Sequence, residues 1–170
     1  FRQRTIKKSV HAIGTGVHSG AKVRMSLRPA KASSGIQFVR SDLDVSNSVL
    51  ACAESVSDTA LSTTISQGSV NIATVEHLMS ALWGLGIDNL VIELTAEEVP
   101  IMDGSAAPFV FLIQSAGILE QDAPKKFLRV LKTIKHEEKD FSVELRPYEG
   151  FKLSYTLEYD HPVFAAHEHT

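Results

Sequence analysis

The spacing of apolar residues changes once, near residue 74, and this change limits what the chain can fold into. Before it, five segments show alternating or β-branched patterns and are separated by turn residues: 4–13, 22–29, 35–40, 49–57 and 61–66. Such patterns are typical of antiparallel strands joined by glycine turns. The first part of the chain is therefore predicted to form a sheet.

Helical spacing follows this predicted sheet. Apolar residues recur at the spacing of a helix face at Val75, Leu78, Met79, Leu82 and Leu85. Thr74 is the predicted N-cap, and Gly84 or Gly86 ends the helix. A second helix is predicted to begin after Ser105, its N-cap, and to end at Gly117.

Strand-like segments surround and follow the second helix. Residues 90–94 have the pattern of a short apolar strand, and the polar residues 120–126, with Pro124, are predicted to form a linker. Three strand-like segments come next, with no predicted helix to cover them: 127–135, 141–146 and 151–159. A sheet without a second layer exposes an apolar face. We therefore expect an α+β fold with a complete N-terminal domain over 1–122, and over 123–170 a linker and the opening strands of a truncated second domain.

Composition narrows the function classes. A net charge of −3 argues against a nucleic-acid binder or a polybasic membrane anchor. The single cysteine, Cys52, excludes an intrachain disulfide and is typical of a reducing compartment. No signal peptide is recognisable, and the longest apolar run, 108–113, is too short for a transmembrane segment. A cytoplasmic protein is expected.

Two short segments contain residues that could bind a ligand or take part in catalysis. The glycine-rich stretch 14–20 is predicted to be a hairpin turn carrying His18, because a strand rather than a helix follows it and a dinucleotide loop needs the helix. Glu76 and His77 lie in the first turn of the first helix, off its apolar stripe. The helix dipole alone favours a carboxylate there. A solvated helix start and a catalytic or metal-binding pair therefore both remain open from spacing alone, and any further metal ligands must lie elsewhere.

Two other sets of polar residues have simple structural explanations. Asp103 and Gly104 form a predicted turn before the second helix, with Asp103 as a possible carboxylate at the edge of a site. The histidines near the end of the sequence are predicted to be solvated: His161, His167 and His169.

Several blocks, in order along the chain, resemble the signature segments of the UDP-3-O-acyl-N-acetylglucosamine deacetylases. The blocks are Thr74-Val75-Glu76-His77-Leu78, residues 84–89 (Gly-Leu-Gly-Ile-Asp-Asn) and residues 101–109 (Ile-Met-Asp-Gly-Ser-Ala-Ala-Pro-Phe), together with 3–5, 16–20 and 160–162. The resemblance implies a two-domain enzyme in which each half is a sheet with helices on one face. It also implies zinc-dependent deacetylation in lipid A synthesis, in the cytoplasm of Gram-negative bacteria.

The resemblance assigns roles by position. His77 is implied to be the zinc ligand from the first half, and Glu76 the general base. Leu61 and Ser62 align with a strand edge that lines the family's site, and Tyr159 with an aromatic residue that packs on the uracil ring. His18 and Asp103 lie in matching blocks and are further candidate substrate contacts: the substrate implied is UDP-3-O-acyl-N-acetylglucosamine.

The other zinc ligands are implied to come from a C-terminal half that this sequence lacks. The chain is therefore expected to be the N-terminal part of the enzyme, to need the missing half as its partner, and to be inactive alone. The alternative is a stand-alone, truncated relative that binds a nucleotide sugar or a partner without catalysis. The intact Glu76-His77 pair favours the enzyme fragment, because a binding module has no evident need for both residues.

Overall fold

The chain divides into two compact units, Phe1–Lys125 and Lys126–Thr170. The computed structural model describes residues 1–44 and 47–158, and the backbone of 166–169. No helix in these described ranges is both long enough and apolar enough to cross a membrane.

In the described part of the first unit, the strands are β1 (Arg2–Ile6), β2 (Val10–Thr15), β3 (Lys22–Pro29), β4 (Ile36–Arg40), β5 (Ser48–Leu50), β6 (Val56–Asp58), β7 (Thr64–Gln67), β8 (Val70–Ile72), β9 (Leu90–Leu94) and β10 (Ile118–Pro124). The helices are α1 (Glu76–Gly84) and α2 (Ala107–Ala116), and Ala53–Ser55 forms a single 3₁₀ turn.

The strands of this unit form three sheets. The five-stranded sheet has the order β2-β3-β9-β4-β5, β6, β7 and β8 form a second sheet, and β1 pairs with β10. The pairing of β4 with β9 is parallel, whereas every other pairing in the five-stranded sheet is antiparallel. A parallel pair needs a long crossover connection. Helix α1 is part of that connection, since it lies between β4 and β9 in the sequence.

The core lies between the five-stranded sheet and the helices. Every second residue of β3 and β9 is buried, so one face of each strand is covered: Val23, Met25, Leu27, Leu90, Ile92 and Leu94. The helices add Leu78, Leu82, Phe109 and Ile113 to the same hydrophobic cluster. Each fully buried side chain of this size contributes roughly 1.5–3 kcal/mol. The predicted α+β fold of sheets and helices is confirmed.

Both predicted helices are present, but their first residues differ from the prediction. Helix α1 has Val75 as its N-cap, and Thr74 instead adopts a left-handed backbone with φ of 59°. Helix α2 has Ala106 as its N-cap, although the Ser105 hydroxyl still accepts a hydrogen bond from the Ala107 amide at 3.2 Å. Polar residues before a helix therefore mark its start to within one residue.

Two predictions about strands are wrong in detail, and one strand has no counterpart in the prediction. Residues 4–13 belong to two strands, because the chain leaves β1 after Ile6 and enters β2 at Val10. Strand β8 was not predicted. The predicted linker at 120–126 is mostly strand, since β10 runs to Pro124 and pairs with β1. Its polar side chains are tolerated because its burial pattern alternates and much of it is exposed.

A cluster of amide side chains, in which Gln3 and Asn89 are buried, joins β1, β10 and the start of β9. This amide cluster consists of Gln3, Asn89 and the partly buried Gln121, together with the exposed Ser33. The Asn89 amide donates to Gln3 Oε1 and to Gln121 Oε1, both at 2.8 Å, and its Oδ1 accepts from the Gly35 amide at 2.9 Å. Gln3 Oε1 also accepts from the Ser33 amide at 2.7 Å. The side chain of Asn89 is therefore fully hydrogen-bonded.

The second unit contains two hairpins in its described residues. Strand β11 (Ile134–Glu137) pairs with β12 (Ser142–Leu145), and β13 (Tyr155–Glu158) pairs with β14 (Ala166–His169). These strands are shorter than the three predicted segments. Large apolar side chains of this unit are exposed, for example Leu128 at 88% and Leu131 at 82%. Leu128 and Leu131 precede β11, and apolar residues of the strands are exposed as well, for example Ile134 and Val143.

Candidate functional site

The Glu76-His77 pair forms the first turn of α1. Both side chains are partly buried, whereas the following Leu78 is completely buried in the core. Glu76 Oε2 accepts a hydrogen bond from the Thr63 amide at 3.1 Å. The carboxylate is therefore held at the positively polarised end of the helix, where a negative charge is favoured.

The chain segment before β7 lies against this helix start. The Val75 amide donates to the Thr63 carbonyl at 3.3 Å, so Thr63 is bonded to the helix start through both its backbone groups. The two residues before it are the predicted substrate contacts Leu61 and Ser62. Leu61 is 83% exposed and Ser62 is partly buried. The structure thus places an exposed apolar side chain two residues from the group that holds Glu76.

The stretch 14–20 is the turn between β2 and β3, as predicted. The Gly16 amide donates to the Ala21 carbonyl, and the Gly20 amide donates to the Gly16 carbonyl, each at 3.0 Å. His18 is exposed on this turn. Strand β3 follows the turn, so the geometry of a dinucleotide loop, which needs a helix, does not occur here.

A residue that was not predicted, Glu98, connects this turn to the start of α1. It is 1% exposed. Its Oε1 accepts hydrogen bonds from the His18 amide and from Thr74 Oγ1, each at 3.0 Å. Its Oε2 accepts from the Ser19 amide at 2.8 Å. We call this group, consisting of His18, Ser19, Thr74 and Glu98, the Glu98 cluster.

The donors around Glu98 determine its charge. Burial alone raises the pKa of the Glu98 carboxyl, but hydrogen bonds from Ser19, His18 and Thr74 more than offset burial and lower the pKa to about 2. In the part of the chain that the structure describes, all hydrogen-bond donors to Glu98 are neutral. The site therefore contains a buried negative charge without a basic partner among those residues.

Gly16 makes this arrangement sterically possible. A Cβ atom at this position would collide with Glu98 Oε2 and Ser19 Oγ. The requirement for glycine here comes from a close approach of side chains rather than from a positive φ. The sequence shows the glycine but not the group that approaches it.

The side chain of Asp103 accepts hydrogen bonds from within its own loop. Its Oδ1 accepts from the Ser105 amide at 2.9 Å and from Ser105 Oγ at 2.8 Å. The bond from the Ser105 amide is the largest cause of a lowered pKa of the Asp103 carboxyl. The loop lies beside the 14–20 turn, since the Ile101 amide donates to the Thr15 carbonyl at 3.1 Å. This matches the predicted turn, with Asp103 exposed at its surface.

The described contacts therefore bring five predicted residues together in two groups that meet at the start of α1. Leu61 and Ser62 adjoin Glu76 and His77 through Thr63, and Glu98 ties the His18 turn to Thr74, three residues before His77. The Asp103 carboxylate is directed to Ser105 within its own loop. Tyr159 lies outside the described residues.

The described residues offer part of a metal site. His77 is partly exposed at the helix start, and a neutral imidazole there suits a borderline metal such as zinc. Among the residues that the structure describes, no three His, Cys, Asp or Glu side chains come together as a group that could hold an ion. The donor set therefore fits one ligand of a site and not a complete one.

The fold and this site define an α+β protein with a Glu-His pair at a helix start. The family model for UDP-3-O-acyl N-acetylglycosamine deacetylase (LpxC) matches residues 3–170. The chain belongs to this family. The resemblance seen in its sequence blocks is confirmed.

Curated relatives agree with this assignment. A protein of Coxiella burnetii (strain RSA 493 / Nine Mile phase I) is 56% identical over 167 residues, which is 98% of this chain and 55% of the relative. A protein of Chromohalobacter salexigens is 56% identical over 170 residues, or 100% and 56% of the two chains. A Marinobacter nauticus protein is 54% identical over the same length, also 100% and 56%. Each is named UDP-3-O-acyl-N-acetylglucosamine deacetylase. The chain spans about half the length of these relatives.

Proposed function

We propose that this chain is the N-terminal part of a zinc-dependent deacetylase that hydrolyses the N-acetyl group of UDP-3-O-acyl-N-acetylglucosamine in lipid A synthesis. The observation that carries the proposal is the Glu76-His77 pair at the start of α1, with Glu76 held by the Thr63 amide in a chain of this family. A cytoplasmic location in a Gram-negative bacterium belongs to the same proposal.

Glu76 is the proposed general base. Amide hydrolysis requires water to lose a proton as its oxygen bonds to the acetamide carbonyl carbon, and the bond from that carbon to nitrogen then breaks. The amine takes up a proton as it leaves, and acetate is the second product. The carboxylate of Glu76 is the group that takes the first proton. The Thr63 amide occupies only one of its oxygens in the described structure, which leaves the other oxygen for water.

His77 is the proposed zinc ligand from this chain. A bound zinc ion would polarise a carbonyl oxygen and acidify water. His77 would hold that ion through one imidazole nitrogen, next in sequence to the base. The remaining ligands would come from outside the described residues, because these residues contain no three-ligand group.

The candidate substrate contacts differ in their support. Leu61 is strongly exposed beside Thr63, which suits an apolar contact with an acyl or sugar group. Ser62 and His18 offer hydrogen-bonding groups near Glu76 and Thr74, respectively. Asp103 and Tyr159 are proposed from the family resemblance, Tyr159 as a flat surface for the uracil ring.

The partner required by this proposal is the rest of the enzyme. We propose residues 1–122 as the domain that carries Glu76-His77, and 123–170 as a connection with the first strands of a second domain. The exposed apolar side chains of the second unit support this division, because a completed domain would cover them. The chain alone is then catalytically incomplete.

A chimera tests the activity directly. This chain would replace the matching part of the Coxiella burnetii relative, and acetate release from UDP-3-O-acyl-N-acetylglucosamine would be followed. We expect the chimera to be active and residues 1–170 alone to be inactive with added zinc. Glu76→Gln should lower kcat by about 10²–10⁴-fold. Glu54→Gln, at an exposed carboxylate, is the matched control and should change little. Turnover by the isolated chain, abolished by Glu76→Ala, would contradict the proposal.

Zinc analysis after dialysis tests the metal part. The isolated chain should bind zinc weakly or not at all, whereas the chimera should retain it and lose it on His77→Ala. His11→Ala, at an exposed histidine of β2, is the matched control. Tight, stoichiometric zinc in the isolated chain that disappears with His77→Ala would favour a stand-alone binding module.

A further inference from the structure

Thr74 has a backbone conformation that needs an explanation. It is a β-branched residue with φ of 59°, it is 3% exposed, and it lies two residues before Glu76. A left-handed conformation of such a residue is strained and persists only where its surroundings impose it. The question is which contacts impose it at the entrance to α1.

Backbone bonds hold the residue before Thr74. The Ala73 amide donates to the Glu97 carbonyl at 2.8 Å, and the Val99 amide donates to the Ala73 carbonyl at 3.1 Å. Ala73 and Glu98 form an isolated parallel bridge. The backbone of Glu98 is therefore fixed directly beside the residue that precedes Thr74.

The side chain of Glu98 holds Thr74 itself. Its Oε1 accepts from Thr74 Oγ1 and from the His18 amide, so these two donors lie within twice a hydrogen-bond length of each other. A carboxylate accepts bonds only, and every partner here is a donor. No other buried carboxylate among the described residues combines these contacts.

The residues after Thr74 connect it to Glu76 and His77 through backbone hydrogen bonds. After Thr74 the backbone is right-handed at Val75, and the Val75 amide bonds to Thr63, whose own amide bonds to Glu76. A rotation at Thr74 would change the direction in which α1 begins. It would therefore move the Glu76 carboxylate away from the Thr63 amide.

We propose that Glu98 is a positioning residue, whose buried carboxylate holds Thr74 in its left-handed conformation and so sets the direction in which Glu76 and His77 leave the start of α1. The same carboxylate fixes the His18 turn relative to that start. The positioning role concerns the site of the proposed function and rests on it for its catalytic meaning, whereas the geometry is tested without substrate or metal.

The test compares three variants of the 170-residue chain by NMR. Glu98→Gln keeps the shape of the side chain but puts an amide donor against donors. Thr74→Val removes only the hydroxyl and leaves the bonds from Glu98 to His18 and Ser19. Asn89→Ala, in the amide cluster, is the matched control for loss of buried hydrogen bonds elsewhere in the same unit.

Glu98→Gln and Thr74→Val should both shift the amide signals of Glu76 and His77 and the imidazole signals of His77. Hydrogen exchange of the Thr63 amide should be about 5–10-fold faster in both variants than the change in their global stability alone would give. The reason is that the hydrogen bond from this amide to Glu76 is weakened. Asn89→Ala should move none of these signals. The proposal would be overturned if the signal shifts in Glu98→Gln were confined to residues 16–20 and Thr74. In that case the signals of Thr63, Glu76 and His77 would be the same as in Asn89→Ala.

Thr74→Val keeps the proposal testable if Glu98→Gln does not fold, since it leaves the charged carboxylate paired with the turn. Unchanged Glu76 and His77 signals in Thr74→Val would then overturn the positioning role. Failure of the chimera to release acetate would bear on the proposed function alone, because the NMR experiment contains neither substrate nor zinc.

Discussion

The amide cluster and the Glu98 cluster each have a buried polar side chain at their centre, Asn89 and Glu98, and they differ in charge. Asn89 uses neutral donors and acceptors, and each cluster contains one non-glycine residue with a left-handed backbone, Ser33 in the amide cluster and Thr74 in the Glu98 cluster. Glu98 accepts three hydrogen bonds from two segments, the 14–20 turn and Thr74, and carries a negative charge. A neutral network can satisfy both donors and acceptors, and its main effect is on stability. A buried carboxylate is costly to desolvate unless donors are arranged around it, so it determines where those donors lie.

This difference has a consequence for pH. The pKa of Glu98 in the folded chain, about 2, lies below the ordinary 4.5 of a glutamate. Its contribution to stability is therefore present above pH 4.5 and is lost as the pH falls toward 2. The amide cluster has no titrating group in its hydrogen bonds, so its contribution should not change over that range.

Glu98→Gln is expected to have the largest effect. The lowered pKa corresponds to roughly 3 kcal/mol in favour of the folded, ionised state at neutral pH. Urea unfolding at pH 7 should show that the free energy of unfolding of Glu98→Gln is lower than that of the natural chain by about that amount. At pH 3 the loss should be clearly smaller, because the natural chain has begun to lose the same contribution. A loss that stays constant between pH 7 and pH 3 would show that the charge of Glu98 is not what stabilises its cluster.

Asn89→Ala should have the next largest effect. It leaves the Gly35 amide and the Gln121 amide oxygen without their partner, and since both bonds are only part-buried, each group costs no more than the low end of the range of about 1–3 kcal/mol for a buried one. We expect a loss of about 2 kcal/mol in urea unfolding, equal at pH 7 and pH 3 within error. A loss that depends on pH would mean that the two clusters are coupled, contrary to their separate contacts.

Double-mutant cycles measure this separation. Thr74 bonds directly to Glu98, so Thr74→Val and Glu98→Gln should show a coupling free energy of about 1 kcal/mol. Thr74→Val and Asn89→Ala share no described partner and should be additive within about 0.5 kcal/mol. If the two cycles gave equal coupling free energies, the Glu98 cluster and the amide cluster would not be energetically separate, and the distinction drawn between them would be wrong.

The two clusters also show where sequence reasoning succeeds. Helices α1 and α2, strand β9 and the 16–20 turn were predicted because their signals are local: apolar spacing, glycine and capping residues. The Glu76-His77 pair is visible in the sequence for the same reason, and its roles remain a prediction. The sequence pattern does not reveal Glu98, because its donors lie far away in sequence, the His18 amide 80 residues and the Thr74 hydroxyl 24 residues from it.

Other errors have the same physical origin. Strand β10 was predicted as a linker because its polar composition outweighed a pairing with β1 that no local pattern shows. The parallel pairing of β4 with β9 likewise depends on a long crossover. The left-handed φ of Thr74 opposes its intrinsic preference and requires the carboxylate that holds it. Predictions from one sequence fail where a distant contact overrides a local tendency.

Arg2→Ala gives the smallest expected effect and tests whether charge or burial matters more. Arg2 Nη1 lies 2.9 Å from Asp122 Oδ1 on the paired strands β1 and β10, but the two side chains are 61% and 97% exposed. Exposed ion pairs typically contribute about 0–1 kcal/mol and are weakened by salt. Unfolding of Arg2→Ala should differ from the natural chain by less than about 0.5 kcal/mol at physiological ionic strength. A loss as large as that of Glu98→Gln would mean that a charge contributes equally whether exposed or buried, and the explanation given for the Glu98 cluster would then be wrong.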